Sequence, residues 1–276
     1  MLRKEVCVAG KNAIAVNFLI YAYYLKKFYL YACPCNSDNG EDTWQPSLKK
    51  TANLLGIEII DLNQARRKKN LIFLSLEYDQ ILDVNSFNSK LLFNVHFSLL
   101  PSYKGCFTSI WPIIKNEKKT GVTLHEIDQG IDTGNIISQR EFLIGEEMTS
   151  NDLYKKYNKV GVELLKNKFL DLINNKYKSF PQQPNLSSYF SRKSLSIIGQ
   201  EIIFPKTAYE VKTFVRALYF PEYQHARFNN KDIFKCNILN QRSSQKPGET
   251  IYADNEKMVI STIDYDIELL IKCSKN

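Results

Sequence analysis

Apolar and polar positions switch repeatedly between a period of two and a helical period along the first 180 residues, and those switches outline strands and helices in turn. Glu5-Val-Cys-Val-Ala9 is a short apolar run that reads as a buried strand. Gly10-Lys11-Asn12 breaks it as a turn, and a helix follows to about Lys27, with two lysines suited to its C-terminal end. Phe28 to Ala32 reads as a second strand, a polar loop from Cys33 to Asp42 carries net negative charge, and a helix is expected from Ser47 to Leu55. After a short strand at Ile57 to Ile60, Arg66-Arg67-Lys68-Lys69 reads as a basic, solvated link before a strong strand, Leu71 to Leu76. Leu91 to Val95, Gly121 to Asp128 and Asn135 to Gln139 supply further strands, with an apolar helical stretch holding Trp111 and Pro112 among them. From Thr149 to Asn175, Leu153, Tyr157, Val160, Leu164, Leu165 and Phe169 recur at helical spacing behind a Thr149 or Ser150 cap, a stripe that reads as core or interface.

Strands alternating with helices predict an α/β fold, doubly wound around a mainly parallel sheet, whose ligands bind outside the carboxyl ends of the strands. Pro181-Gln-Gln-Pro184 marks a boundary. Beyond it, one helix at Thr207 to Ala217 and short strands at Ile233 to Leu239, Thr250 to Tyr252, Met258 to Thr262 and Ile267 to Ile271 predict a smaller β-rich C-terminal domain. The expected domains are residues 1–180 and 181–276. Gly10 stands alone, so the first turn is no dinucleotide fingerprint and neither nicotinamide nor flavin is expected.

Composition changes this picture little. A chain of 276 residues with 44% hydrophobic and 24% charged residues matches an ordinary soluble globular protein. A formal charge of +8 favours an anionic partner, whether nucleic acid, membrane surface or phosphorylated small molecule. Cys7, Cys33, Cys35, Cys106, Cys236 and Cys273 show no CxxC spacing and no histidine pair, so reduced thiols and no metal are expected. Arg3 and Lys4 precede an apolar stretch, but Lys11, Asn12 and Asn17 interrupt it, and no run reaches membrane-spanning length. A cytoplasmic protein without a membrane partner is the expectation.

The candidate chemistry lies between Leu91 and Arg140. Asn94 and His96 stand two residues apart at a strand end, on one face, and Asp132 lies in a Gly-rich turn, Gly130 to Gly134. An amide, an imidazole and a carboxylate on loops between rigid strands suit acyl transfer. The motifs Asn94-Val-His96, Ser98-Leu-Leu-Pro101 closing on Gly105, Thr120-Gly-Val-Thr123 and Asp128-Gln-Gly-Ile-Asp132-Thr-Gly134 occur in this order. In that order the chain resembles the formyltransferases that use 10-formyltetrahydrofolate, most strongly over residues 71–140. The resemblance implies N10-formyltetrahydrofolate as co-substrate, residues 1–180 as catalytic domain, and Asn94, His96 and Asp132 as catalytic residues. It also implies a folate site holding the pterin on the backbone of Ile81 and Leu82, with Ser98, Leu99, Leu100 and Asp128. For such a reaction His96 serves as base, Asn94 donates to the oxyanion, an effect typically worth ~10²–10³ in rate, and Asp132 orients His96 and stabilises its charged form. His125 reads as structural and His225 as surface or interface.

The family's acceptors include initiator methionyl-tRNA, a purine-pathway glycinamide, nucleotide-linked amino sugars and water. Positive charge favours tRNA, yet Asp38 to Asp42 is acidic where the tRNA enzymes carry a basic insertion, and the purine enzyme has a Gly-rich first turn that this chain lacks. Ala9-Gly-Lys-Asn12 with Ile14-Ala-Val16, and Val215-Arg-Ala-Leu-Tyr-Phe-Pro-Glu-Tyr223, look like sugar N-formyltransferases, particularly those for dTDP-4-amino-4,6-dideoxyglucose. The expected reaction is therefore formylation of a dTDP-linked deoxyamino sugar, for surface polysaccharide such as O-antigen or lipopolysaccharide, without nucleic acid as partner. Methionyl-tRNA formyltransferase and formyltetrahydrofolate hydrolase are the alternatives. Candidate acceptor contacts are Lys11 and Asn12, which either approach a phosphate or form an ordinary turn, and Tyr103 and Lys104 on the loop before Gly105. Arg216 is placed to meet a diphosphate, and Tyr219, Phe220 and Tyr223 either stack on thymine or fill the small domain's core. Residues 181–276 are expected to bind substrate or to pair two copies as a homodimer.

Overall fold

In a computed structural model, residues 4–272 are described; residues 1–3 and 273–276, and with them Arg3 and Cys273, lie outside the described residues. The N-terminal pattern folds as β1 (Lys4–Gly10), α1 (Asn12–Tyr24), β2 (Phe28–Pro34), α2 (Leu48–Leu54), β3 (Glu58–Ile59), α3 (Leu62–Arg67), β4 (Ile72–Leu76) and β5 (Leu92–His96). Then come β6 (Lys104–Gly105), α4 (Trp111–Ile114), β7 (Lys119–Glu126), β8 (Ile136–Leu143) and α5 (Ser150–Ile173). Seven of these strands form one sheet in the order β3-β2-β1-β4-β5-β7-β8. The pairs from β3 to β5 are parallel, whereas β7 runs antiparallel to β5. The chain winds outward from β1 to β3 and returns beside β1 as β4, so the strand order reverses at that junction and opens a crevice at the carboxyl ends.

Three local readings change. α1 ends at Tyr24 with no basic residue in its last turn, leaving Lys26 and Lys27 beyond it. The supposed basic link is the end of α3, whose N-terminus carries a reciprocal capping box between Asp61 and Gln64. Asp38 and Asp42, read as an acidic loop, cap the next helix: Asp38 accepts from Ser47 Oγ and Lys49 N, and Asp42 from Ser47 N and Lys50 Nζ.

The core lies where α1 and α5 cover the sheet. Every residue of β4 is buried, as expected of a strand covered on both faces. Leu153, Tyr157, Leu164, Leu165 and Phe169 of α5 are buried and Val160 half-buried, so the stripe read from the sequence is core. Phe169 meets Phe18 and Phe28 edge-on at 5.0 and 5.2 Å. Tyr157 stacks on Phe97 at 5.3 Å and shares a 2.7 Å hydrogen bond with Thr120, which satisfies its buried hydroxyl. Gly161 brings α5 close to the sheet: a Cβ there would lie 2.9 Å from Ile14 Cδ1 and 3.3 Å from Val95 Cγ1.

The chain divides into two units. The first comprises residues up to Gly105 with Thr120–Phe142 and Lys156–Tyr189; the second comprises Cys106–Lys119, Leu143–Lys155 and the chain from Phe190. The later elements are β9 (Tyr189–Phe190), α6 (Arg192–Ile198), α7 (Ala208–Leu218), β10 (Ala226–Phe228), β11 (Lys231–Ile238), β12 (Thr250–Ala253), β13 (Lys257–Ile260) and β14 (Ile267–Ile271). β10 to β14 make an antiparallel sheet in the order β10-β11-β14-β13-β12. Ile267, Leu269 and Ile271 alternate inward along β14, and α7, capped by Thr207 and Glu210, buries Val211, Val215 and Leu218. α6 was not foreseen. No helix among the described residues is long and apolar enough to cross a membrane.

Replacing Gly161 by Leu puts a branched side chain into the seam between α5 and the sheet. It is expected to lower the free energy of unfolding by about 1–3 kcal/mol, read from urea denaturation.

Candidate active site

β5 and β7 pair antiparallel with Asn94 opposite His125 and His96 opposite Thr123. Because side chains alternate, these four lie on one face of the sheet at the carboxyl end of β5. The turn after β7 then carries Asp132 back to the same place. Its carboxylate lies 3.4 Å from His96 Nδ1, 3.6 Å from His125 Nε2, and accepts from Gly105 N at 2.9 Å. Asn94 Nδ2 lies 3.0 Å from His125 Nε2 and 3.4 Å from Asp132 Oδ1. The expected trio is thus brought together, with His125 as a fourth member.

Hydrogen-bond logic assigns the protons. His125 Nδ1 lies 2.7 Å from the carbonyl of Glu126, an acceptor only, so Nδ1 carries a proton, while Nε2 lies against Asn94 Nδ2 and Asp132. The Asn94 amino group therefore faces His125 and Asp132. To donate to an oxyanion, Asn94 gives up its longer, 3.4 Å contact with Asp132 while keeping the bond to His125. His96 Nε2 lies 2.8 Å from the carbonyl of Tyr103, which holds a proton on that atom and leaves Nδ1, facing Asp132, as the basic one. A proton taken up at Nδ1 is then stabilised by the adjacent carboxylate.

Asp132 sits in a largely closed environment, which by itself pushes its pKa up. Once their rings are protonated, the charge of His96 and the hydrogen bond and charge of His125, together with the Gly105 N–H, outweigh that effect and hold its carboxyl well below the usual carboxylate range. Tyr103 and Asp132, which grip His96 from two loops, both have left-handed backbones with φ of 60° and 55°. Such conformations cost energy in non-glycine residues and concentrate at functional sites.

The other expected residues of the first unit separate by role. Ser98 is fully buried and donates to Ser102 O, while Thr123 Oγ1 bonds Ser98 O and Leu100 N, and Gln139 bonds Leu100 O. Ser98 and Leu100 thus shape the loop with these groups, and Leu99 stays half-buried between them. Asp128 Oδ1 accepts from Gly130 N and Thr133 Oγ1 and shapes the second loop in the same way. Ile81 is 80% exposed and Leu82 buried. At the junction of β1 and β4, Lys11 pairs with Asp79 at 3.5 Å and Asn12 Nδ2 lies 3.4 Å from Glu77 Oε2; Asn12 and Glu77 both have φ near 60°. Lys104 is buried, and its backbone N–H is bonded to Ser188 O.

In the second unit the expectation for Arg216 changes, and Phe220 follows the second of its two alternatives. Arg216 is buried, not open to a diphosphate: its guanidinium donates to the carbonyl of Met148 at 2.9 Å, and burial pulls its pKa below the ordinary value. Phe220 packs edge-on to Tyr154 at 5.5 Å and belongs to the core. Tyr219 is half-buried against His225, and Tyr223 is 67% exposed. His125, read as structural, had no partner assigned because one strand was read alone. The signal lay in pairing it with Leu91 to His96, which places it opposite Asn94.

A doubly wound sheet with an amide, two imidazoles and a carboxylate at a strand end suits acyl-group transfer. The formyl transferase family matches residues 76–168, and the formyl transferase C-terminal domain matches residues 199–272. A sugar 3N-formyl transferase, WlaRD, solved with dTDP and 5-N-formyl-THF, is 41% identical with a TM-score of 0.89, covering 100% of both chains. An N-formyltransferase from Helicobacter canadensis, in complex with folinic acid and dTDP-3-aminofucose, is 42% identical with a TM-score of 0.88, covering 98% of this chain and 100% of that one. Methionyl-tRNA formyltransferase of Ureaplasma urealyticum is 32% identical over 195 residues, 69% of this chain but only 61% of that protein's length. The chain belongs to the formyltransferase family.

The depressed pKa of Asp132 sets the sign of a pH effect. Its charge stabilises the fold fully above its unfolded pKa, near ~3.9, and that contribution is lost as pH falls toward the lower folded value. The stability difference between the unaltered protein and Asp132→Asn should narrow as pH falls below about pH 4, measured by denaturant unfolding across pH.

Proposed function

We propose that this protein transfers the formyl group of N10-formyltetrahydrofolate to the amine of a dTDP-linked deoxyamino sugar. The observation that carries the reading is His96, fixed between Tyr103 O and Asp132 beside the Asn94 amide. The amine attacks the formyl carbon directly, so no enzyme nucleophile is needed. Its proton passes to His96 Nδ1, the oxyanion takes an N–H of Asn94, and as the bond from the formyl carbon to N10 breaks His96 returns the proton to N10 of the departing tetrahydrofolate. The two structures matched at 41% and 42% identity were solved with a folate and with dTDP or a dTDP-amino sugar, and each is covered from end to end.

Those relatives also bear on the position of the amine. One is described as acting on a 3-amino group and the other holds dTDP-3-aminofucose, whereas a 4-N formyltransferase from Francisella tularensis is 25% identical with a TM-score of 0.68. A 3-amino acceptor therefore has more support than the 4-amino-4,6-dideoxyglucose compound expected from the sequence. A supply of formylated sugar for surface polysaccharide fits this reading. So does a homodimer through the C-terminal part, where the edge strand β12 is exposed at every residue. The second reading, formylation of methionyl-tRNA, is favoured by the curated relatives and by the charge of +8.

Tetrahydrofolate release from 10-formyltetrahydrofolate separates the readings. Release is expected with a dTDP-3-amino sugar, more slowly with its 4-amino isomer, and not with methionyl-tRNA or without acceptor. Release with tRNA alone would establish the second reading, and release without acceptor would make the protein a hydrolase. His96→Asn is expected to fold with a lowered melting temperature and to lose at least ~10³ in kcat; a variant with normal turnover rules out His96 as the base.

A further inference from the structure

The segment from Ser179 to Ser188, which follows α5 and reads in the sequence as a boundary, ties together the two loops of the site. Ser179 Oγ bonds Glu126 Oε1 at 3.1 Å, and Phe180 pairs with Ile136 through bonds of 2.8 and 2.9 Å, so the segment is anchored on both sides of the Asp132 loop. Further along, Ser188 Oγ accepts from Tyr103 N at 2.7 Å and Ser188 O from Lys104 N at 2.9 Å. Between these anchors, Gln182 donates through Nε2 to two carbonyls of the catalytic turn, Asp132 O and Gly134 O, each at 2.8 Å. Both partners can only accept, so the orientation of the amide is fixed: turning it over would set Oε1 against two carbonyl oxygens. The remaining atom, Oε1, is buried and finds no donor among the described residues.

A buried acceptor left without a donor costs about 1–3 kcal/mol, and such atoms are few in folded proteins. We infer that Gln182 is a positioning residue for the Asp132 turn and that its Oε1 accepts an N–H group of the bound one-carbon donor. This inference rests on the formyl-transfer reading. The pterin of a folate is a flat heterocycle with several amide- and amine-type N–H groups, whereas a nucleoside diphosphate offers mainly acceptors, so the folate is the better match for a lone acceptor. Once the bond forms, the donor and the backbone of Asp132 are held by a single side chain. Binding the donor thereby steadies the carboxylate that faces His96.

The test uses Gln182→Met, which keeps length and volume and removes both polar functions. Binding of 5-formyltetrahydrofolate, an unreactive analogue, is measured by calorimetry, and turnover with the dTDP-amino sugar by tetrahydrofolate release. The expected result is at least a tenfold weaker affinity for the folate and at least a tenfold lower kcat, with the acceptor KM within twofold of the unaltered protein. Unchanged folate affinity, or a loss confined to the acceptor KM, overturns the inference. Should the variant fail to fold, Gln182→Glu, equal in length but without the N–H donors, is judged on its kcat and acceptor KM by the same limits. Unaltered protein that does not bind 5-formyltetrahydrofolate overturns the formyl-transfer reading and this inference with it; unaltered protein that binds it while Gln182→Met binds equally well overturns this inference alone.

Discussion

The site depends on keeping one carboxylate charged where little water reaches it. The side chain of Asp132 is 12% exposed, and a buried charge without partners is strongly unfavourable. Its surroundings answer that constraint from separate parts of the chain: His96 from the end of β5, His125 from β7, Gly105 N from β6, and Asn94 beside them. Each group also needs its own second partner, and the structure provides one. His125 is fixed by Glu126 O, His96 by Tyr103 O, and the Asp132 turn by Gln182. Loss of any of these frees a ring or a loop and leaves the carboxylate less well compensated.

Sheet geometry makes the arrangement possible. β7 enters antiparallel to β5 at the point where the parallel series ends, so one pair of neighbouring strands brings Asn94 and His125 into direct opposition. A parallel neighbour would have delivered its carboxyl end, and the turn after it, at the same edge as β5 but without this cross-strand pairing. The close returns of the chain then require small residues. Gly134 has no room for a Cβ, which would fall 1.8 Å from Glu126 O, and Gly121 is pressed against Arg140 O in the same way. The glycines of both motifs therefore serve the backbone path that returns Asp132 to His96.

Much of this was legible in the sequence because short-range periodicity and turn chemistry decide it. The strands of the parallel sheet, the α5 stripe and the Asn94, His96 and Asp132 trio all arise from local patterns or from a motif read in order. What escaped was long-range. His125 gains its meaning from a strand 31 positions earlier, and Gln182 from a turn about 50 positions earlier; neither carries a periodic signal. Arg216 misled for a related reason. A lone arginine near aromatic residues looks available for an anion, but the carbonyl of Met148, far away in sequence, satisfies it. The Asp61 and Gln64 capping box was visible in the sequence and was obscured by the run of basic residues behind it.

The division between rigid and adaptable parts follows from the same physics. The groups around Asp132 are buried and mutually satisfied, so a substitution there disturbs several partners at once. The residues at the junction of β1 and β4 are different in kind. Lys11 with Asp79 and Asn12 with Glu77 are partly exposed pairs at 3.5 and 3.4 Å, long contacts of the sort that contribute little to stability. They are held in place by strained backbone at Asn12 and Glu77, with the Gly10 φ of 150° allowing β1 to approach Leu76 O. The Lys11 and Asp79 pair can be exchanged for contacts with a ligand's phosphate or hydroxyl groups at little cost to the fold. The crevice at β1 and β4 is thus the adaptable part of this end of the sheet, and the network around Asp132 the rigid one.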